Sequence, residues 1–401
     1  SEPQAIPPAL DGDGKPPKLT LDYLSRLIEE SHPILQRDRA RIDSASGQAL
    51  QAGLYPNPRW DTNNPEVFNG PNSLFNAGFM QDFVTMGKKR LDRAAALRGV
   101  QQSEFALVQD RYQLLTALRS QFYQTLAAQT RVDVLNRLVK ITAASVKTQN
   151  ERIIATVGDR PELLLLEIDY NKVLADLRNA EQVFAGEQKQ LADIVGYPGL
   201  VQDKVIGSLT ARPPDFDEEV LDQFVTSENA VIQIAKLDID KNKLLLKRAE
   251  VEPYPNVTLG PAYQWGLAKG NEQYWLSVQF PIPVWDRNQG NIQSARANVR
   301  DSTETLGQVQ LDLLRQVADA FSTYRGTLER AEKYKTEIIP DSMEALRLAK
   351  SGFDAGLFEF SAYLQAQRTV METTQDYIDI LEKLWTTAAT LAGLLQIDKF
   401  P

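Results

Sequence analysis

A single histidine, His32, and no cysteine among 401 residues leave this chain little with which to do covalent chemistry. A Ser-His-Asp relay would have to run through His32, which stands just before Pro33 near a helix start. A solvated or capping imidazole is the ordinary finding in that position. Disulfides and thiolate metal sites are excluded by composition. Tight transition-metal binding would then rest on carboxylates, which suit harder ions. No His-Glu-x-x-His pattern and no phosphate-binding glycine loop occurs. The side chains therefore predict no catalytic residue, no resident metal, no cofactor and no enzyme activity.

Charge narrows the choice further. The chain has 44 Lys and Arg against 53 Asp and Glu, a net charge of −9, and no basic block to follow phosphates. A nucleic-acid partner is not expected. No apolar run nears the roughly 18 residues of a membrane helix, and the mean hydropathy is −0.34. That average says nothing of β-barrels, whose strands alternate. The sequence starts at Ser1 without a signal peptide, as a processed secreted protein would. Residues 1–19 are Pro-rich and expected to be extended.

The elements that position these residues come twice, about 198 residues apart. Tyr55-Pro56-Asn57 is echoed by Tyr254-Pro255-Asn256, and Phe83 before Gly87-Lys88-Lys89-Arg90 by Phe280 before Trp285-Asp286-Arg287. Phe122 is echoed by Phe321, and Val157-Gly158 by Ala355-Gly356. A constant offset at four landmarks signals an internal tandem repeat, with halves expected at 20–215 and 216–401.

Each half reads as long helices around one candidate β-hairpin. Helices are predicted over 20–54 with a break near His32-Pro33, over 88–156, and from Pro161 to the stop at Gly196-Tyr197-Pro198-Gly199. The second half repeats them over 217–252, over 288–353 with a kink expected at Pro340, and over 359–395. Apolar residues keep a seven-residue step: Leu118, Thr125, Val132, Val139 and Val146; Leu166, Val173 and Ala180; Val317, Tyr324, Ala331, Ile338 and Ala345; Leu364, Met371, Ile378 and Trp385. Heptads held this long predict rods packed side by side as coiled coils. A rod of about 66 residues spans about 100 Å, and two of about 35 placed end to end would match it.

The hairpins are expected at about 57–86 and 256–285. Val257, Leu259, Pro261, Tyr263 and Trp265 alternate with Thr258, Gly260, Ala262 and Gln264, and Tyr274, Leu276, Val278, Phe280 and Ile282 alternate with Ser277 and Gln279. In the first half, 58–68 and 74–84 flank the turn residues Asn69-Gly70-Pro71-Asn72, although Asn63-Asn64-Pro65 interrupts the pattern. Such strands have the length to cross a bilayer when tilted. Trp60, Trp265, Tyr274, Trp275 and Trp285 lie in or beside them, as membrane-interface aromatics would. On alternation alone, a membrane ribbon and a soluble β-subdomain with core aromatics both remain open. If the ribbons are membranous, four strands are too few to close and copies must join.

The whole chain resembles the TolC-like outer membrane factors. The resemblance is carried by Leu19-Thr20-Leu21-Asp22, by Gln51-Ala52-Gly53-Leu54-Tyr55-Pro56-Asn57-Pro58, and by Met86-Gly87-Lys88-Lys89-Arg90. Pro281-Ile282-Pro283-Val284-Trp285-Asp286-Arg287-Asn288-Gln289-Gly290 is similar to the cobalt–zinc–cadmium branch. What the resemblance implies is a mostly α fold with membrane β. Three chains of four strands would build a twelve-stranded outer membrane barrel that continues into a periplasmic α-helical barrel. The function implied is a passive exit duct in a Gram-negative outer membrane. Its partners would be two further copies, a periplasmic adaptor, an inner-membrane pump of the resistance-nodulation-division class and outer membrane lipid. Heavy-metal cations are the cargo of that branch; a duct for organic compounds and a soluble coiled-coil scaffold are the alternatives.

By the same resemblance, the two helix reversals form the periplasmic tip. Val157, Gly158, Asp159, Arg160, Ala355 and Gly356 would meet the adaptor, unless the glycines only cap helices. The gate would lie at Asp354, Leu357, Phe358, Glu359, Phe360, Ala362 and Gln365. Some relatives place acidic rings where this chain has Ala362 and Gln365, so closure by apolar packing is expected here. The rival reading is that these aromatics only join neighbouring helices. Ser1 replaces the cysteine of lipidated relatives, so no lipid anchor is expected.

Overall fold

Thr20 opens the first helix by accepting a hydrogen bond from the Tyr23 amide in the computed structural model, which describes residues 19–62, 68–154, 159–200, 204–268, 270 and 272–401. Helix α1 (Leu21–Ser31) buries Leu21, Leu24 and Ile28. It ends at His32, whose ψ of 130° is the extended backbone that a following proline imposes. Helix α2 (Pro33–Gly53) begins at once, and His32 Nδ1 accepts from the Ile34 amide at 3.2 Å. His32 is buried, and burial lowers its pKa. The one imidazole of the chain is a helix cap.

A short strand β1 (Arg59–Asp61) and a long one β2 (Leu74–Phe83) follow, then α3 (Lys88–Ile154), whose 67 residues span about 100 Å. Helix α4 (Arg160–Val195) stops where Gly196 takes φ 81°, its amide bonding back to Ala192 and Asp193. The second half gives α5 (Glu218–Ser227), α6 (Ala230–Glu250), β3 (Val257–Gly266), β4 (Gln273–Gln279), α7 (Gln289–Lys333), α8 (Ile339–Asp354) and α9 (Phe360–Leu394). The element order of the first half thus recurs in the second.

Three expectations need correction. The helix expected over 217–252 is two, because the amides of Glu228 and Asn229 both turn back to the Phe224 carbonyl while the Asn229 side chain donates to Leu394 O at 3.0 Å. The disturbance expected at Pro340 lies ahead of it. A π-turn, Tyr334–Ile338, precedes it and absorbs the amide that proline lacks. The extra residue in that turn shifts the buried track: Val317, Tyr324 and Ala331 are buried as the heptad requires, but Ser342 and Ala349 then replace Ile338 and Ala345. Finally, β4 stops at Gln279 rather than reaching Ile282, because Pro281 and Pro283 have no amide for a ladder. Of the expected first-half strand 58–68, only Arg59–Asp61 is strand among the described residues; 63–67 lie outside them, as does the 1–18 part of the extended segment.

The two hairpins form one antiparallel sheet in the order β1-β2-β3-β4. β2 and β3 pair along most of their length, from Leu74 opposite Gly266 to Phe83 opposite Val257. Among the described residues, β1 and β4 are open edges.

The chain divides into two compact units, each drawing on both halves of the repeat. One comprises 1–36, 110–229 and 313–401. At its centre the Trp385 indole, fully buried, stacks on Tyr123 at 4.4 Å and donates to Leu209 O at 2.8 Å. The other comprises 37–109 and 230–312 and contains the sheet.

Candidate functional site

Strand register sorts the sheet's side chains, because residues directly opposite one another share a face. Trp60 opposes Phe79, Phe75 opposes Trp265, and Ala77, Tyr263 and Tyr274 form one row. With Leu259, Pro261, Leu276 and Val278 these make an apolar, aromatic face. Its rings touch one another: Trp60 with Phe79 at 4.7 Å, Tyr263 with Tyr274 at 4.8 Å, and Phe75 with Trp265 at 5.8 Å between centroids. Yet Tyr274 is 87 % exposed and Leu276 63 %. Among the described residues nothing covers that face.

The other face carries Asn76, Gly78, Asp82, Thr258, Gly260, Ala262, Gln264, Gln273, Ser277 and Gln279, with Arg59 and Asp61 from β1. Leu74, Met80 and Trp275 are its large apolar members. This is also the crowded face. A Cβ on Gly78 would lie 2.6 Å from the Ala262 Cβ, where opposed residues ordinarily keep about 4.5–5.5 Å. A Cβ on Gly260 would meet Ser277 Oγ at 2.5 Å. Such crowding is what the concave side of a curved sheet would show, and the polar face is called the inner one from here. Apolar outside and small or polar inside is the arrangement of a membrane β-barrel wall. Of the five expected interface aromatics, Trp60, Trp265 and Tyr274 lie on the apolar face. Trp285 lies beyond β4 and is 89 % exposed. Trp275 is on the opposite side, against Ala262.

Where the sheet meets the helices, Lys88 is 2 % exposed. Its ammonium donates to Tyr254 O at 2.6 Å, Asn256 Oδ1 at 3.1 Å and Glu252 O at 3.2 Å, with the Glu252 carboxylate at 3.6 Å. Thr85 Oγ1 donates to Pro255 O at 2.7 Å. The Gly-Lys-Lys-Arg motif of one half is thus bound to the Tyr-Pro-Asn motif of the other. Burial pushes the Glu252 carboxyl up, but Arg248 and then Lys88 outweigh it and hold its pKa below the ordinary value.

The helix reversals lie in the unit built on Trp385. At the second, α8 ends in a Schellman motif: the Leu357 amide bonds to Gly352 O at 2.8 Å, the Gly356 amide to Phe353 O at 3.0 Å, and Gly356 takes φ 71°. The Phe358 ring lies over Gly352, where a Cβ would collide with it. Leu357 is 79 % exposed and Phe358 52 %, and Asp354, Ala355, Glu359, Ala362 and Gln365 are exposed too. Phe360 differs: it is buried with Leu166 and Leu364, and rings with Phe353 and Tyr363. It joins α8, α9 and α4. At the first reversal Val157 and Gly158 lie outside the described residues. Asp159 sits at the N-cap of α4 without a side-chain bond, and Arg160 is exposed. Arg152 near the end of α3 places its guanidinium 5.1 Å from the Phe353 ring, so the end of α3 lies beside the end of α8.

Sequence reasoning missed one pair here. Arg368 of α9 grips Asp169 of α4 with both arms, Nη2 to Oδ1 at 2.7 Å and Nε to Oδ2 at 3.2 Å. That hydrogen bonding raises the Arg368 pKa. The signal was available: opposite charges 199 residues apart stand at nearly equivalent positions of a repeat near 198.

Among the described residues no group of His, Asp and Glu could hold a metal ion. No described helix is long and apolar enough to cross a membrane.

Comparison with known proteins agrees with this geometry. The chain is 24 % identical over 385 residues to the cobalt-zinc-cadmium resistance protein CzcC of Cupriavidus metallidurans, covering 94 % of this chain and 90 % of that one. Its fold is similar to that of the outer membrane protein VceC of Vibrio cholerae, with a TM-score of 0.78 and 18 % identity, covering 94 % of this chain and 96 % of VceC. It is likewise similar to CusC, with a TM-score of 0.80 and 14 % identity over 94 % and 91 % of the two chains. Residues 226–395 match the family model of the outer membrane efflux proteins, and the likenesses to CzcC, VceC and CusC each extend over 94 % of this chain.

Proposed function

We propose that this chain is the outer membrane channel of a tripartite efflux system, a passive exit duct whose cargo is heavy-metal cations. The observation that carries the reading is the sidedness of the sheet: an uncovered aromatic face, a crowded polar face and two open edges. Unpaired backbone edges cost several kcal/mol per group in lipid, so the ribbon must join others. Three copies supply twelve strands, above the roughly eight that closure needs. The sheet then lies in the outer membrane of a Gram-negative bacterium, and the helices reach the periplasm. A resistance-nodulation-division pump in the inner membrane drives transport through a periplasmic adaptor. The metal cargo is supported by the likeness to CzcC, a cobalt-zinc-cadmium resistance protein. A chain with one histidine, no cysteine and a net charge of −9 suits that task, since it draws cations without ligating them.

The test is tolerance of cells to cobalt, zinc and cadmium. Loss of the protein should lower tolerance to at least one of them, and restoring it should recover that tolerance. Unchanged tolerance to all three, with lowered tolerance to organic compounds, would move the cargo assignment to organic solutes.

The helix reversals are the adaptor-contacting tip in this proposal, through Asp159, Arg160, Ala355, Gly356 and the flanking Val157 and Gly158. The gate is formed by exposed Leu357 and Phe358 with Asp354, Glu359, Ala362 and Gln365. Phe360 packs behind them as their anchor. The Asp169–Arg368 pair ties the α9 that carries these residues to α4. Asp169→Asn removes the charge that orients Arg368, whose side chain is 40 % exposed. The pair is therefore worth about 1 kcal/mol, roughly fivefold in an opening equilibrium. Asp169→Asn channels in planar bilayers should dwell open several times longer than wild type, and Phe358→Ala should raise the conductance of each channel. Unaltered traces from both variants would leave these residues as packing.

A further inference from the structure

Trp275 is the one large aromatic on the inner face of the sheet among the described residues. The register places it at the end of the row Asp61, Gly78, Ala262, Trp275. Its two nearest neighbours in that row, Ala262 and Gly78, are among the smallest residues of the sheet. The ring is 46 % exposed, and it takes part in none of the ring contacts that tie together Tyr263, Trp265 and Tyr274. The row lies toward the end of the sheet where Gln264 pairs with Gln273, away from the junction at Lys88.

Packing does not explain this position. The other aromatics of the strands, Trp60, Phe75, Phe79, Phe83, Tyr263, Trp265 and Tyr274, all belong to the outer face. A tryptophan on the inner wall, with no ring partner among the described residues, exposes its π-face to whatever passes. Aromatic faces attract cations, and they do so best when the cation sheds its water cheaply. Small divalent metal ions hold their hydration tightly, whereas quaternary ammonium ions and protonated organic amines do not. Asp61 in the same row adds a carboxylate that concentrates cations at this height.

We propose that Trp275 makes the outer end of the duct a binding ring for weakly hydrated organic cations, while hydrated metal ions pass without being held. This rests on the channel reading, in which three copies bring three indoles around one lumen. Tetrabutylammonium added from the outer side of channels in planar bilayers is the probe, with zinc ions as the comparison. Wild-type current should be blocked, and Trp275→Ala should raise the half-blocking concentration about fivefold or more. Trp275→Phe, which keeps a weaker π-face, should fall between the two. Zinc current should be the same in all three, and Leu276→Ala, on the outer face of the same strand, should block like wild type.

Equal block of wild type and Trp275→Ala, or a matching loss of block in Leu276→Ala, would overturn the proposal while leaving the channel intact. A wild-type protein that forms no pore would overturn the channel reading, and this proposal with it.

Discussion

Gly78→Val should abolish assembly of the channel while its outward neighbour Ala77→Val is tolerated. The valine Cβ alone would sit 2.6 Å from the Ala262 Cβ and 2.7 Å from Pro261 O, and the second of these is backbone that cannot step aside. Overpacking of this kind costs typically 1–3 kcal/mol per site. Here it also pushes β2 from β3, the pairing that unites the two hairpins, and each of three subunits would bear the cost. Ala77 faces the opposite way, in the row of Tyr263 and Tyr274, where lipid yields. The measurement is the ratio of trimer to monomer on size exclusion in detergent, together with the amount recovered in outer membranes. Gly78→Val trimers at wild-type yield would show that the inner face is not tightly curved.

Lys88→Met should cost about 3 kcal/mol or more, because three acceptors in a buried site lose their donor at once and each such loss is worth about 1–3 kcal/mol. Methionine fills nearly the same volume, so the loss isolates the ammonium from the packing of its stem. Arg90→Met, an exposed position of the same motif, should change little. Urea unfolding of the purified trimer in detergent distinguishes the two, with the Lys88→Met midpoint well below wild type. Equal midpoints would mean that the carbonyls of Glu252 and Tyr254 find other donors and that Lys88 is replaceable.

Much of the fold could be read before any coordinates. Seven-residue steps marked the rods, and Pro33 and Gly196 marked breaks because each acts on its own backbone. Alternation separated the faces of β3 and β4 and placed Tyr274 and Ser277 on opposite sides. Pairing of β2 with β3 was not legible, because alternation states which face a residue takes and not which strand lies alongside. The α5–α6 break was missed since neither Glu228 nor Asn229 is a strong breaker; a partner, Leu394 O, holds it. Pro340 announced a disturbance, but whether a helix kinks or inserts a π-turn depends on its neighbours. Lys88 looked like one cation in a basic motif, and only the arriving carbonyls of Glu252 and Tyr254 make it a buried one. At the helix reversal, Phe358 and Phe360 are two residues apart and chemically alike, yet the N-terminus of α9 turns one outward and the other into the core.

The duplicated halves close their strand-to-helix junctions by unlike means. Counted along the repeat, the place of Lys88 falls to Asp286, and there the neighbouring Asn288 merely donates from its amide to Ala249 O at 2.8 Å. A ring of three subunits therefore has six look-alike corners around its circumference, of which every second one is riveted by a buried cation. In a three-subunit ring, widening would then be expected first at the three corners that lack the rivet.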